Sequence, residues 1–351
     1  MPGPAPEGVD LERLRPFFAE HVAVASGDRE LSATLIAGGR SNLTYEISDG
    51  EHVWVLRRPP LGHVLPTAHD MGREHRVLSA LADTDVPVPH TFAFCDDESV
   101  NGAPFYVMEK VDVRILRTAQ DTTPLPPDEA AACSRELDDV MARIHAVDFE
   151  AVGLGDFGHP DGYLERQVRR WGEQWERSKG AELPGVDEVA RRLRAALPES
   201  GAPTIVHGDY RLDNTMLAPD DAGRIVAVLD WEMATLGDPL ADVGLFLLYW
   251  GNSSAQAIAT GETITAQPGF LSHDEVVARY AEQSGRAVDD LDWYVVFAGY
   301  KLAIIVEGIA ARYRMGKTLG EGFEAMGTMV SSLIDGALEL ADKSSVTALR
   351  G

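Results

Sequence analysis

The most informative stretch of the chain is Ile205-Val-His-Gly-Asp-Tyr-Arg-Leu-Asp-Asn-Thr-Met-Leu217, followed by Val226-Ala-Val-Leu-Asp-Trp-Glu232. Apolar, strand-like residues run into a polar loop, and a second apolar run ends on Asp230. Asp209 and Asn214 lie five apart, and Asp230 lies sixteen beyond Asn214. Asp and Asn taken singly are ordinary turn residues. The whole set, placed between two apolar strands, fits phosphoryl transfer. That chemistry needs a carboxylate to orient a hydroxyl and accept its proton, and oxygen ligands for a magnesium ion on the phosphates. Magnesium keeps several waters, so one Asp and one Asn suffice. Asp209 can be the base, and Asn214 and Asp230 can be the ligands.

Outward toward the N-terminus, residues 11–25 pattern as a helix. Strand-like runs follow at 33–37, 43–48 and 52–57, with Asp49-Gly50 as a hairpin turn signal. A helical pattern over 67–81 leads to strands at 91–95 and 105–110, joined across Asn101-Gly102. After residue 110 helical periodicity dominates, at 128–146, 162–178, 186–197, 239–250, 273–284, 291–314 and 322–340. A β-rich island at 204–206, 215–217 and 225–229 interrupts it. The expectation is an α+β chain of two lobes: 1–110, a small antiparallel sheet with one helix, and 111–351, larger and mostly helical.

Composition narrows the partners. Hydrophobic residues make up 45% of 351 residues, enough for a substantial core. A nucleic-acid binder needs a basic face to neutralise phosphates, so the net charge of −25 argues against nucleic acid. The two cysteines, Cys95 and Cys133, sit far apart and outside any metal-ligand pattern, as expected of free thiols in a reducing cytoplasm. The first ten residues lack the basic and apolar regions of a signal peptide. The longest apolar-rich stretch, 293–311, is broken by Lys301 and Glu307, which favours a buried helix over a membrane span.

The pattern H-G-D-x4-N with a later D-W-E resembles the aminoglycoside phosphotransferase and choline kinase superfamily, which shares the protein-kinase-like fold. The resemblance implies that Asp209 is the catalytic aspartate, that His207 braces its loop, and that Asn214 and Asp230 hold Mg2+. It implies ATP as phosphate donor and a small-molecule hydroxyl as acceptor. Gly38-Gly39-Arg40-Ser41-Asn42, between two strands, stands where a phosphate-covering hairpin belongs, so Gly39 and Ser41 are expected at the nucleotide. The family usually has Lys on the third strand. Here Arg57 alternates with Val53 and Val55 and takes that role, with Glu74 as its helix partner; Arg can grip phosphates bidentately. The Glu109 carbonyl and Val111 amide would bond adenine. Asp238 and Asp242 read as structural, Asp238 as an N-cap before Pro239 and Asp242 as a brace of the catalytic loop.

The likeness extends over nearly the whole chain. Pro66-Thr-Ala-His-Asp-Met-Gly-Arg-Glu74, the two catalytic segments and Tyr300-Lys-Leu-Ala-Ile-Ile-Val-Glu-Gly-Ile-Ala-Ala-Arg-Tyr313 look like the kinase-like domain fused to some acyl-CoA dehydrogenases and like its free-standing bacterial relatives. That subgroup is linked to phosphorylating hydroxylated acyl compounds, so a hydroxyacyl-CoA or hydroxy acid is the expected acceptor; dehydrogenase chemistry is not expected. An aminoglycoside or other antibiotic kinase, a nucleotide-binding pseudokinase and a metal-dependent hydrolase are the alternatives. In helix 163–177, Leu164, Val168, Trp171 and Trp175 form an apolar stripe that reads as core. Arg166, Arg170 and Arg177 could meet an anionic acyl-CoA, although i,i+4 Glu–Arg pairs favour a solvent face.

Overall fold

The computed structural model describes residues 5–22, 25, 27–36, 42–61, 70–123, 125–251, 264–315 and 326–351. Their helices, in chain order, are α1 (Leu11–His21), α2 (Met71–Leu81), α3 (Glu98–Asn101), α4 (Ala119–Thr122), α5 (Pro127–Ala146), α6 (Tyr163–Ser178), α7 (Pro184–Ala195), α8 (Leu240–Leu248), α9 (His273–Ser284), α10 (Leu291–Arg314) and α11 (Met326–Lys343). The strands are β1 (Ser32–Leu35), β2 (Leu43–Ser48), β3 (Val53–Arg58), β4 (Thr91–Cys95), β5 (Phe105–Glu109), β6 (Thr204–Val206), β7 (Thr215–Ala218), β8 (Asp221–Val228) and β9 (Thr235–Gly237). The chain divides into two compact units. The first comprises Met1–Arg114, Met216–Pro219 and Ile225–Ala234; the second comprises Ile115–Thr215, Asp220–Arg224 and Thr235–Gly351.

In the first unit, β1–β5 form one antiparallel sheet in the order β1-β2-β3-β5-β4. Side chains alternate between its faces. Tyr45, Ile47, Trp54, Leu56, Phe105 and Val107 cluster with Leu14 and Phe18 of α1. Val55, Tyr106 and Met108 are buried on the opposite face, and α2 packs against β4 and β5. The same alternation separates the adjacent arginines of β3. Arg58 turns to the α1 side and donates to the Asn101 carbonyl at 2.9 Å, while Arg57 turns to the α2 side and meets Glu74.

Ser48 pairs with Val53, so the β2–β3 loop holds four residues. Gly50 alone adopts positive φ there (87°). Asp49 instead accepts the amides of Glu51 and His52 at 2.9 and 2.7 Å, an Asx-type turn. At Asn101-Gly102 the expected plain strand connection is a one-turn helix. Asp97 caps α3, and Gly102, at φ 74°, returns its amide to Glu98.

The second unit is mostly helical. Its central helix α10 packs on α6, α7, α8 and α11. By length and composition this helix could cross a membrane, yet 67% of its most apolar window is buried against its neighbours, the pattern of a bundle core. Gly244 of α8 permits a close approach to α10: a Cβ there would lie 2.5 Å from the Tyr294 carbonyl carbon. Strand β6 pairs antiparallel with β9 and delivers the chain straight into His207.

Candidate active site

In the second unit the loop after β6 is held from behind by one buried carboxylate. Asp242, in the first turn of α8, accepts the His207 amide at 2.6 Å and the Gly208 amide at 2.8 Å. His145 of α5 reaches the same carboxylate at 3.3 Å. Burial pushes the Asp242 carboxyl upward, but its bond to His145, the nearby imidazoles of His145 and His207, and the Gly208 amide bring it below the ordinary value. The expected brace is therefore present. Gly208 adopts φ 84°, a left-handed conformation open to glycine. His207 is fully buried, and its Nδ1 accepts the Asp209 amide at 3.2 Å.

Asn214 closes the loop from the other side. Its Nδ2 donates to the Asp209 carbonyl at 2.8 Å and to Asp209 Oδ2 at 2.9 Å. With the amide nitrogen committed to Asp209, the Asn214 Oδ1 is left as a neutral oxygen donor, a fit to a hard cation such as magnesium. Asp209 is thereby fixed in backbone and side chain. Two cations that the sequence reading did not assign flank it. Arg211 lies over the Tyr249 ring at 4.8 Å, pairs with Asp213 at 3.0 Å and approaches Asp209 Oδ1 at 3.7 Å. Lys301 of α10 donates to the Gly208 carbonyl at 2.7 Å. Its signal was the charge that breaks an otherwise apolar run. Asp238 also has its structural role, accepting from the Leu240 amide and from the Tyr294 hydroxyl.

In the first unit, Arg57, Glu74 and Asp230 come together. Arg57 Nε lies 3.1 Å from Glu74 Oε2, and its Nη2 donates to Asp230 Oδ1 at 2.7 Å. Burial alone would lower the Arg57 pKa, but the neighbouring charges, Glu74 foremost, raise it above its ordinary value. Asp230 is the one non-glycine residue with positive φ (69°) among the described residues. That conformation costs about 1–2 kcal/mol, is tolerated best by Asn and Asp, and is typical of functional positions. Trp231, fully buried, anchors the turn by donating to the Val228 carbonyl at 3.0 Å. The Asn42 amide donates to Glu232 at 3.3 Å, tying the D-W-E segment to the end of the Gly38–Asn42 stretch. Glu109 ends β5, where its amide and carboxylate both engage the His90 backbone, and Val111 follows it. Gly39 and Ser41 lie outside the described residues.

The model of a family described as "Phosphotransferase enzyme family" matches residues 32–282. A crystal structure of a Ralstonia eutropha protein ascribed to the aminoglycoside phosphotransferases is 34% identical, covers 95% of this chain and 99% of its own, and superposes with a TM-score of 0.83. A thermostable aminoglycoside phosphotransferase, solved with AMP-PNP and hygromycin B, shares the fold at 16% identity and a TM-score of 0.59, over 94% of this chain and 99% of its own. The fold is therefore the α+β, protein-kinase-like one. Acyl-CoA dehydrogenase family member 11 of Rattus norvegicus is 32% identical over 96% of this chain. The chain spans only 44% of that relative's length.

Proposed function

Because this chain belongs to the phosphotransferase enzyme family, we propose that it transfers the γ-phosphate of ATP to a hydroxyl group of a small molecule. The observation that carries this reading is the fixing of Asp209. Its backbone is held by His207 and, through Gly208, by Asp242, and its side chain is held by Asn214. A carboxylate so restrained can orient the acceptor hydroxyl and take its proton. The hydroxyl oxygen then bonds to the γ-phosphorus, and the bond to the β-bridging oxygen breaks, leaving ADP. Restraint of this kind is the form that catalysis of phosphoryl transfer takes.

Arg57, held by Glu74, is assigned to the nucleotide phosphates, and the Glu109 carbonyl and Val111 amide to adenine. Gly39 and Ser41 are assigned to the phosphate-covering loop. Asn214 and Asp230 are assigned to magnesium, which when bound neutralises phosphate charge. The favoured acceptor is a hydroxylated acyl compound, a hydroxyacyl-CoA or hydroxy acid. Its support is the likeness across 96% of the chain to a protein named as an acyl-CoA dehydrogenase family member.

Thermal denaturation with and without Mg-ATP tests the site. A ligand bound only by the native state adds about 2.7 kcal/mol at a hundredfold excess over its dissociation constant. The melting temperature should rise, and Asn214→Ala and Asp230→Ala should each remove the magnesium-dependent part of the rise. Shifts equal to wild type in both variants would remove these residues from the metal site.

A further inference from the structure

Helix α6 buries its apolar stripe, as expected, but one member of that stripe is incompletely satisfied. Trp171 is 9% exposed, and its indole N–H is buried without a hydrogen-bond partner. A buried donor left unpaired loses its hydration with nothing in exchange, which makes such groups rare and in need of explanation. Two cations flank the same ring. Lys301 Nζ lies 5.9 Å from its centroid and Arg170 Cζ lies 6.0 Å from it. Arg170 is exposed and makes no ion pair among the described residues, unlike Arg177, which pairs with Glu173 at 3.5 Å. An ammonium carries three donors, and the Lys301 ammonium uses one, on the Gly208 carbonyl. Burial lowers the Lys301 pKa from its ordinary value, and the Asp209 and Asp242 carboxylates counter it in favour of the charged ammonium.

We propose that Lys301, Arg170 and the Trp171 indole N–H form an anion subsite beside Asp209 that holds a carboxylate or phosphate group of the acceptor. This rests on the phosphotransferase reading and narrows it: the acceptor is a hydroxyl compound that also carries an oxyanion. The subsite offers donors and positive charge. An oxyanion is the group that an unpaired N–H donor and two cations call for, whereas a polycationic aminoglycoside would bring like charge against Lys301 and Arg170. Because Lys301 also grips the peptide that precedes Asp209, binding of the anion is coupled to the position of the base.

The test compares matched acceptors by ADP release. 3-Hydroxybutyrate against its methyl ester, which keeps the single hydroxyl, isolates the carboxylate charge, and 3-hydroxybutyryl-phosphopantetheine against 3-hydroxybutyryl-pantetheine isolates a phosphate group. The anionic member of one pair should be favoured about 10–100-fold in kcat/KM, the worth of a charge-assisted hydrogen bond. Trp171→Phe, which removes the N–H donor together with one ring of the indole, and Lys301→Met should erase that preference by raising the acceptor KM, with the KM for ATP unchanged. Lys301→Arg should restore it. Equal turnover of charged and neutral members, a preference that survives Trp171→Phe, or preferential turnover of kanamycin would each overturn the subsite and leave the phosphotransferase reading intact. Calorimetric titration of 3-hydroxybutyrate and of CoA decides the subsite even where nothing is phosphorylated. Binding about tenfold weaker in Trp171→Phe supports it, and identical binding, or none in the wild type, sinks it.

Discussion

The Asp242 carboxylate accepts the Gly208 amide hydrogen at 2.8 Å across 34 positions of sequence. Its other oxygen takes the His207 amide. One side chain thus orients two consecutive peptides immediately before Asp209. Asp242→Asn replaces an acceptor oxygen with a donor, which leaves one of those amides unpaired. The expected loss is about 1–3 kcal/mol of stability, read as a lower denaturation midpoint, together with reduced turnover. Because the folded carboxyl titrates below its ordinary value, its contribution is complete above the unfolded carboxylate pKa. It fades only as pH falls toward the folded one. A variant with unchanged midpoint and unchanged turnover would mean that the loop needs no such brace.

For Asp209 the expectation separates chemistry from binding. General-base contributions run about 10²–10⁴-fold, so Asp209→Asn should reduce turnover by that range while ATP affinity and the denaturation midpoint hold. Asn keeps the size of Asp and one oxygen able to accept the Asn214 Nδ2 bond seen at 2.9 Å. Near wild-type transfer by this variant would assign the proton to another group.

Much of this arrangement was legible in the sequence because it is local. His207, Asp209 and Asn214 fall within eight consecutive residues, and the bonds among them follow from spacing on one loop. Arg57 was legible through strand alternation, which also sends Arg58 to the opposite face. What could not be read depended on distant elements or on backbone conformation. Lys301 showed only as a charge in an apolar helix; its bond to Gly208 exists because α10 is the centre of a bundle. The left-handed conformation of Asp230 has no composition signal, since Asp is common in ordinary turns. Strand β9 is three residues long, too short for periodicity, and appears only because β6 needs a partner. On α6, Arg169 and Arg177 both reach Glu173. Of the expected i,i+4 pairs Glu173–Arg177 forms, whereas Arg169 reaches Glu173 rather than Glu165, and Arg170 stands outside the pairing.

The last expectation concerns Asp138 of α5, which lies outside the candidate site. Its side chain is fully buried and neither carboxylate oxygen has a hydrogen-bond partner. The neighbouring Asp139 takes Arg279 in a two-pronged pair at 2.8 and 2.6 Å. Burial, reinforced by the Asp139 charge, pushes the Asp138 carboxyl from 3.8 up to about 7. Between those values the folded protein holds a proton that the unfolded chain has released. Stability therefore falls as pH rises through that window and levels off above about 7. Asp138→Asn removes the titration while keeping the shape. It should flatten the slope and raise stability above neutral pH by an amount on the order of a few kcal/mol, and it should leave stability at acid pH close to wild type. Urea denaturation of both proteins across the acid-to-neutral range provides the measurement. Parallel stability curves for wild type and variant would show that Asp138 is charged in the folded protein and paired with a cation.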